Sequence, residues 1–476
     1  MKLKGYFRIA ILVVLILSLY GYTGAQAQGG LTYDTGIQVQ NLSSGDAAIT
    51  LYYYNSNGTQ EAAVGDTIPA NSSKTYFPLT GVPDGWKGSM VITSNQPLFA
   101  LDNLVANSMS FGAATTSFSA GSTTFSLPLV MCNNAGFNTF FNIQNTGTGP
   151  ASVTVNYIPG SYGLSGQSDT ATIAAGAAKT FDQEEGSAAG TKTCTQLKDA
   201  TGKFIGSVQI TSDQPVVASL MQLNHTNWPI LMGYNGFADG STTVNAPLIM
   251  SLNNGFYTGM QIQNVGSVAT HVDINYATNT VGAFNPTDEA CDLAAGQSCT
   301  LIQNTGQWVS RYIGAATITN TAGQKLVVIV NQVSNGGPGF GPFGTAYEGF
   351  NPAVATDKVS APLIMANNSS YYTGIQVQNV GVGTCASVVI DYGPNVAVGG
   401  TFNPVSESFS LTAGASKTII QNGSPAANGG VNDWVGVGKY IGSAEISGSG
   451  CSLVSIINEV SFSTGDKFFT YDGLNY

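Results

Sequence analysis

The sequence predicts an all-β chain of four repeated sandwich modules behind a secretory leader, and three observations lead there. A phrase alternating small or apolar residues with polar ones stands four times: "YDTGIQVQNLS" from Tyr33, "FNTFFNIQNTG" from Phe137, "FYTGMQIQNVG" from Phe256 and "YYTGIQVQNVG" from Tyr371. Its asparagines, Asn41, Asn145, Asn264 and Asn379, lie 104, 119 and 115 residues apart, which is the period of domains rather than of a solenoid. Finally, Lys2, Lys4 and Arg8 precede an apolar run from Ile9 to Leu19 and the small-residue site Ala25-Gln26-Ala27, the pattern of a signal peptide cleaved after Ala27.

The elements follow in order within each repeat. "LPLVM" from Leu127 and "APLIM" from Ala246 and Ala361 each begin 18 residues before the shared asparagine and read as a first strand. After the asparagine comes a second alternating run ending in tyrosine: "AAITLYY" to Tyr53, "ASVTVNY" to Tyr157, "THVDINY" to Tyr276 and "ASVVIDY" to Tyr392. Alternation with β-branched residues gives strands with one buried face. A third block is a hairpin about a short Ala/Gly/Asn turn, as in "TIPANSSKTYF" and "SLTAGASKTII". A fourth, such as "GSMVITSNQPLFAL" and "GSAEISGSGCSLVSII", is two strands about a polar turn. About seven short strands and no helix per unit fit an immunoglobulin-like sandwich of two antiparallel sheets. The expected segments are a signal peptide over 1–27, a first module over 28–120, and further modules over 121–240, 241–356 and 357–476.

The words "APLIM…NN", "YTGIQVQNVG", "IGSAEI" and "YNGF" resemble those of tandem immunoglobulin-like modules in secreted bacterial cell-surface proteins, across essentially the whole mature chain. The resemblance implies a stalk, adhesin or envelope component and carries over no catalytic or ligand motif.

Composition narrows the function. Removing the leader with Lys2, Lys4 and Arg8 takes the formal charge from −11 to −14, so nucleic acid is not an expected partner. Only 9% of residues are charged while 59 are glycine, which leaves a neutral, hydrogen-bonding surface suited to an extracellular structural or adhesive role. Cysteines fall two to a repeat in the last three: Cys132 with Cys194, Cys291 with Cys299, Cys385 with Cys451. An even count per module in a secreted chain predicts three disulfides within modules.

Catalytic candidates are sparse. His271 lies in a strand and His225 in a link between modules, neither beside a nucleophile phrase. Asp182, Glu184 and Glu185 share one loop, without the D-x-D-x-D-G order of a calcium loop. The insertions "DQEEGSAAGTKTCTQLKDATGK" and "QNGSPAANGGVNDWVGVGK" are the first places to look for a binding surface. Tyr234, Tyr347 and Tyr471 head "YNGF", "YEGF" and "YDGL" after the last strand of a module and are expected at contacts between modules or as sugar-stacking rings.

The expected function is therefore a secreted, non-enzymatic structural or adhesive cell-surface protein, shaped as a rod, without cofactor or metal. Its partners are other cell-surface proteins, glycans or itself, and after leader cleavage it has no integral membrane segment. The alternative is an extracellular carbohydrate-binding array. One irregularity remains: 18 residues before Asn41 the sequence reads "TGAQA", the cleavage site, so the first module lacks its first strand. Either the first module is an atypical terminal cap, with its short N-terminal segment folded over the gap, or the open edge takes a strand from another chain, for which the chain end "KFFTYDGLNY" is one donor in head-to-tail association.

Overall fold

The computed structural model of the protein describes residues 11–15, 31–106, 110–187, 189–224, 229–336, 341–435, 438–463 and 465–476. It is all-β, with antiparallel sheets throughout. In the first repeat Tyr33–Asn41 lies between Ser73–Tyr76 and Leu98–Ala106, with Phe111–Thr116 at the edge. The facing sheet places Ala47–Tyr54 between Gln60–Ile68 and Ser89–Ser94. The third repeat gives the same order, with Phe256–Asn264 between Ser298–Ile302 and Leu326–Ser334, and Phe343–Glu348 outermost. The fourth repeats it with Tyr372–Asn379, Ser416–Ile420, Leu453–Val460 and Phe468–Asp472.

The second repeat departs from the expected pair of strands about a polar turn. Phe204–Asn224 runs as one strand of 21 residues and joins both halves into a seven-stranded sheet. Its register shifts between Thr211 and Val216, around Pro215, so the bend is made inside the strand. Two four-residue helices, Cys194–Leu197 and Pro425–Asn428, sit in the long insertions, where the sequence predicted none.

Alternation becomes burial as the strand period requires. Ala47, Ile49, Leu51 and Tyr53 are buried from one strand and Met90 and Ile92 from its neighbour, each worth about 1.5–3 kcal/mol for the larger aliphatic side chains. The tyrosine closing each second run meets an aromatic edge-on: Tyr53 with Trp86 at 5.3 Å, Tyr157 with Phe204 at 6.3 Å, Tyr276 with Trp308 at 4.9 Å and Tyr392 with Trp434 at 5.6 Å. Leu197 and Trp434 are fully buried, so both insertions contribute side chains to the core as well as loop surface.

The repeated asparagine holds a turn and ties it to the opposite sheet. Asn145 Oδ1 accepts from Gly147 N at 2.8 Å, while Nδ2 donates to Gly149 O at 2.7 Å and to Ile173 O at 2.8 Å. Asn41, Asn264 and Asn379 make the corresponding bonds to Ile68, Leu293 and Leu411. These carbonyls are buried, so an aliphatic residue at the asparagine would leave them unpaired at about 1–3 kcal/mol each.

The expected rod is corrected by contacts that return the last repeat to the first. Phe111–Thr116 packs on Ile230–Asn235, that strand on Phe343–Glu348, that on Phe468–Asp472, and the last again on Phe111–Thr116. Hydrogen bonds follow the same circuit: Ser89 to Gly176 O at 2.5 Å, Gln222 with Asn331 at 2.9 Å, Gln332 with Asn458 at 3.0 Å, and Ser360 with Gln40 at 2.9 Å. Small residues allow this close approach. A Cβ on Gly344 would lie 2.5 Å from Ile230, and one on Gly112 would lie 2.6 Å from the Phe469 ring.

Two expectations about the chain ends also change. Most of the signal peptide expected over 1–27 lies outside the described residues, yet Ile11–Leu15 forms a strand paired antiparallel with Ser94–Met90, in the place of the strand that the first module was expected to lack. At the other end Phe468–Asp472 pairs with Val460–Ile456, and Leu474 and Asn475 pair with Ser360 and Val359. The chain end is thus used inside the fourth repeat and is no free donor strand.

Candidate functional site

Tyr234, Tyr347 and Tyr471 are buried, so none presents an open ring, and each hydroxyl bonds within its own repeat. Each hydroxyl donates to a leucine carbonyl and accepts from the same leucine's N–H: Leu129 at 2.8 and 3.2 Å, Leu248 at 2.7 and 3.2 Å, Leu363 at 2.6 and 3.1 Å. The cause is a bulge. Thr243–Ser251 pairs with Tyr312–Asn320 up to Ala246 and resumes at Ile249, so Leu248 has no partner in that pairing. Burial pushes all three phenols well above their ordinary range, which keeps them as donors.

A threonine holds the same strand two residues further on. Thr258 Oγ1 accepts from Met250 N at 3.1 Å and has two acceptors in reach of its single proton, Gln303 Oε1 at 2.9 Å and Met250 O at 3.2 Å. Thr139 with Met131 and Gln183, and Thr373 with Met365 and Gln421, repeat the arrangement. The sequence carries this signal as the threonine at the third position of the repeated phrase and a glutamine 44, 45 or 48 residues later, unread because neither looks like chemistry alone.

The cysteines are bonded as Cys132–Cys194, Cys291–Cys299 and Cys385–Cys451, with no free cysteine. Cys291 and Cys299 lie in strands of different sheets, so this bridge joins the two sheets. Asp182 is spent on its own loop, accepting from Glu184 N at 3.0 Å and Ser187 Oγ at 2.5 Å, and Glu185 pairs with Lys198. Among the described residues no three His, Cys, Asp or Glu side chains converge as a metal-ligand set. His271 is exposed and bonds Asp292 at 2.7 Å, which raises its pKa. His225 lies outside the described residues.

Chemistry concentrates where the four repeats meet. Asp466 Oδ1 accepts from Gly344 N at 3.0 Å and Oδ2 from Leu231 N at 3.2 Å, and its backbone bridges to Phe111. One residue of the fourth repeat thereby fastens strands of the other three, two through its carboxyl and one through its backbone. Nearby, Asn235 Nδ2 donates to Thr116 O at 2.8 Å, Asn235 N donates to Glu348, and Glu348 bonds Asp472. Burial raises the pKa of Asp466, Glu348 and Asp472; the hydrogen bond between the last two raises Asp472 further and offsets part of the rise at Glu348. Burial alone lifts Asp102 and Glu459 to about 8. A solvent-facing cleft of about 1130 Å³ opens between the third and fourth repeats, lined by Met250, Arg311, Tyr372, Lys417 and Phe462.

Residues 28–184, the first repeat and the start of the second, match a family of unknown function (DUF5719). No curated protein matches the chain. The crystal structure of Thermotoga maritima 1070 aligns at 17% identity and a TM-score of 0.19, covering 25% of this chain and 94% of that one. A tetra-tandem repeat from the extending region of a large adhesion protein aligns at 14% identity and a TM-score of 0.10, covering 98% and 99%. At those TM-scores neither structure informs the fold or the function; what the chain is similar to by family is a group whose function is itself unassigned.

Proposed function

We propose that the protein is a secreted, non-enzymatic structural or adhesive component of a cell surface, built from four immunoglobulin-like sandwiches closed on one another. The observation that carries this reading is the fate of its recurring polar side chains. The asparagine, threonine, glutamine and tyrosine that return from repeat to repeat are consumed in fixing strands and turns, as Asn264, Thr258, Gln303 and Tyr347 illustrate. Repetition therefore selects for a rigid framework, while a ligand or partner would be met by surfaces that differ between repeats. Three disulfides and the hydrogen-bonding, weakly charged composition support an extracellular setting. The carbohydrate-array alternative loses its motivating residues, because Tyr234, Tyr347 and Tyr471 offer no exposed ring face.

Fractionation of the native cells with an antibody to the protein tests the reading. Recovery in the envelope or medium, with an assembly or attachment defect on deletion, is the expected result. Recovery in the cytoplasm would defeat it.

A further inference from the structure

The first repeat differs from the other three at the positions that hold a first strand. Where they have Tyr234, Tyr347 and Tyr471, it has Thr115, paired across the sheet with Asp102. Where they have the core residues Leu220, Val330 and Ile457, it has Asp102 itself. The clamp glutamine is replaced by Pro78, yet the clamp threonine is kept as Thr35. Thr35 and Asp102 are 3% and 4% exposed, and Thr35 Oγ1 and Asp102 Oδ1 have no hydrogen-bond partner. Both lie on the face of Ile37 that looks into the sandwich, since Ile37 pairs with Asp102 and Thr35 stands two residues before it.

Among the described residues, Ile11–Leu15 covers half of this edge. Val13 opposite Ile92 and Leu15 opposite Met90 match Val244 opposite Ile318 and Ala246 opposite Ala316. The other half, where Ile249, Met250 and Ser251 pair with Gly314, Ile313 and Tyr312, has no counterpart among the described residues. The leader segment shows what the edge accepts: an extended aliphatic run, antiparallel. The orphaned atoms show what a full occupant adds, namely a peptide group for Thr35 and a hydrogen-bond donor for Asp102.

We propose that the first repeat is a strand acceptor, whose edge along Trp86–Ser94, its Trp86–Gly88 end backed by Thr35, Asp102 and Thr115, takes an extended aliphatic segment of a partner polypeptide bearing a donor for Asp102. This rests on the reading that the leader is removed on secretion. A second copy is the poorer occupant, because its three strands of this class are each held by a tyrosine and a threonine in their own repeats.

Hydrogen exchange on the secreted protein, with a synthetic peptide of residues 243–252 as the probe, tests the proposal. The amides of Ser89–Ser94 that do not bond Ala47–Tyr54 should exchange freely alone and at least about tenfold more slowly with saturating peptide. The peptide has no charged donor, so Asp102→Leu, which restores the aliphatic residue of the other repeats, should tighten its binding about tenfold. Unchanged exchange at saturating peptide in a folded protein overturns the proposal. So does an edge already protected without peptide, whether by a retained leader, read from the intact mass, or by a second copy, read from sedimentation. Cell fractionation judges the functional reading separately.

Discussion

Replacing Tyr347 by phenylalanine keeps the ring and removes one oxygen, so its effect isolates the hydroxyl clamp. That oxygen is the partner of both Leu248 O at 2.7 Å and Leu248 N at 3.2 Å. Leu248 is 4% exposed and sits in the bulge between the two paired stretches of its strand, so water and the neighbouring strand are poor substitutes. Two buried backbone groups left unpaired cost about 1–2 kcal/mol each, giving about 2–4 kcal/mol for Tyr347→Phe. Native-state hydrogen exchange should show the Leu248 amide opening roughly 30- to 700-fold more readily, while amides of the first repeat are unaffected. A change below about threefold at Leu248, in a folded variant, would refute the clamp.

Other outcomes follow from the same structure. Asp102 and Glu459 have pKa values raised to about 8, so their stabilising contribution is present below the ordinary carboxylate range and is lost as pH rises through about 8. Thermal midpoints should therefore rise as pH falls from 8 toward 5, and Asp102→Asn should flatten that slope; a midpoint that falls over this interval would contradict the burial of both acids. Removing Cys132–Cys194, which closes a loop of 62 residues, should cost about 4 kcal/mol, against about 2.5 kcal/mol for Cys291–Cys299 with a separation of 8, measured by denaturant unfolding of paired Cys→Ala variants. The reverse order would argue against the loop-entropy account. Asp466→Ala strips the partner from the N–H groups of Leu231 and Gly344, so limited proteolysis should cut between repeats faster in that variant than in the parent.

Much of the framework was legible because strands write themselves at period two. Ala47–Tyr54 and Thr270–Tyr276 show their buried face in the order of residues, and the asparagine recurs because each copy holds a turn and an opposite-sheet carbonyl. The three cysteine pairs were legible from their distribution among repeats. The tyrosine clamps were not, since the partner of Tyr347 is a bulged peptide 99 residues earlier, and nothing around Tyr347 announces a bulge. Closure of the four repeats was hidden for a similar reason. Its trace is the small residues Gly112, Gly233 and Gly344 on edge strands, which in a single strand look like weak β-formers. The partnering of Ile11–Leu15 was invisible because a leader's apolar run is read as a targeting signal and set aside.

Small-angle scattering of the purified protein tests closure most directly. A compact chain of 476 residues has a radius of gyration of about 23 Å, whereas four modules end to end would give roughly 40 Å. The contacts from Phe468–Asp472 back to Phe111–Thr116 predict the smaller value, unchanged with concentration. A value near the larger one for a monomer would mean that the first and fourth repeats do not meet, and would contradict the account.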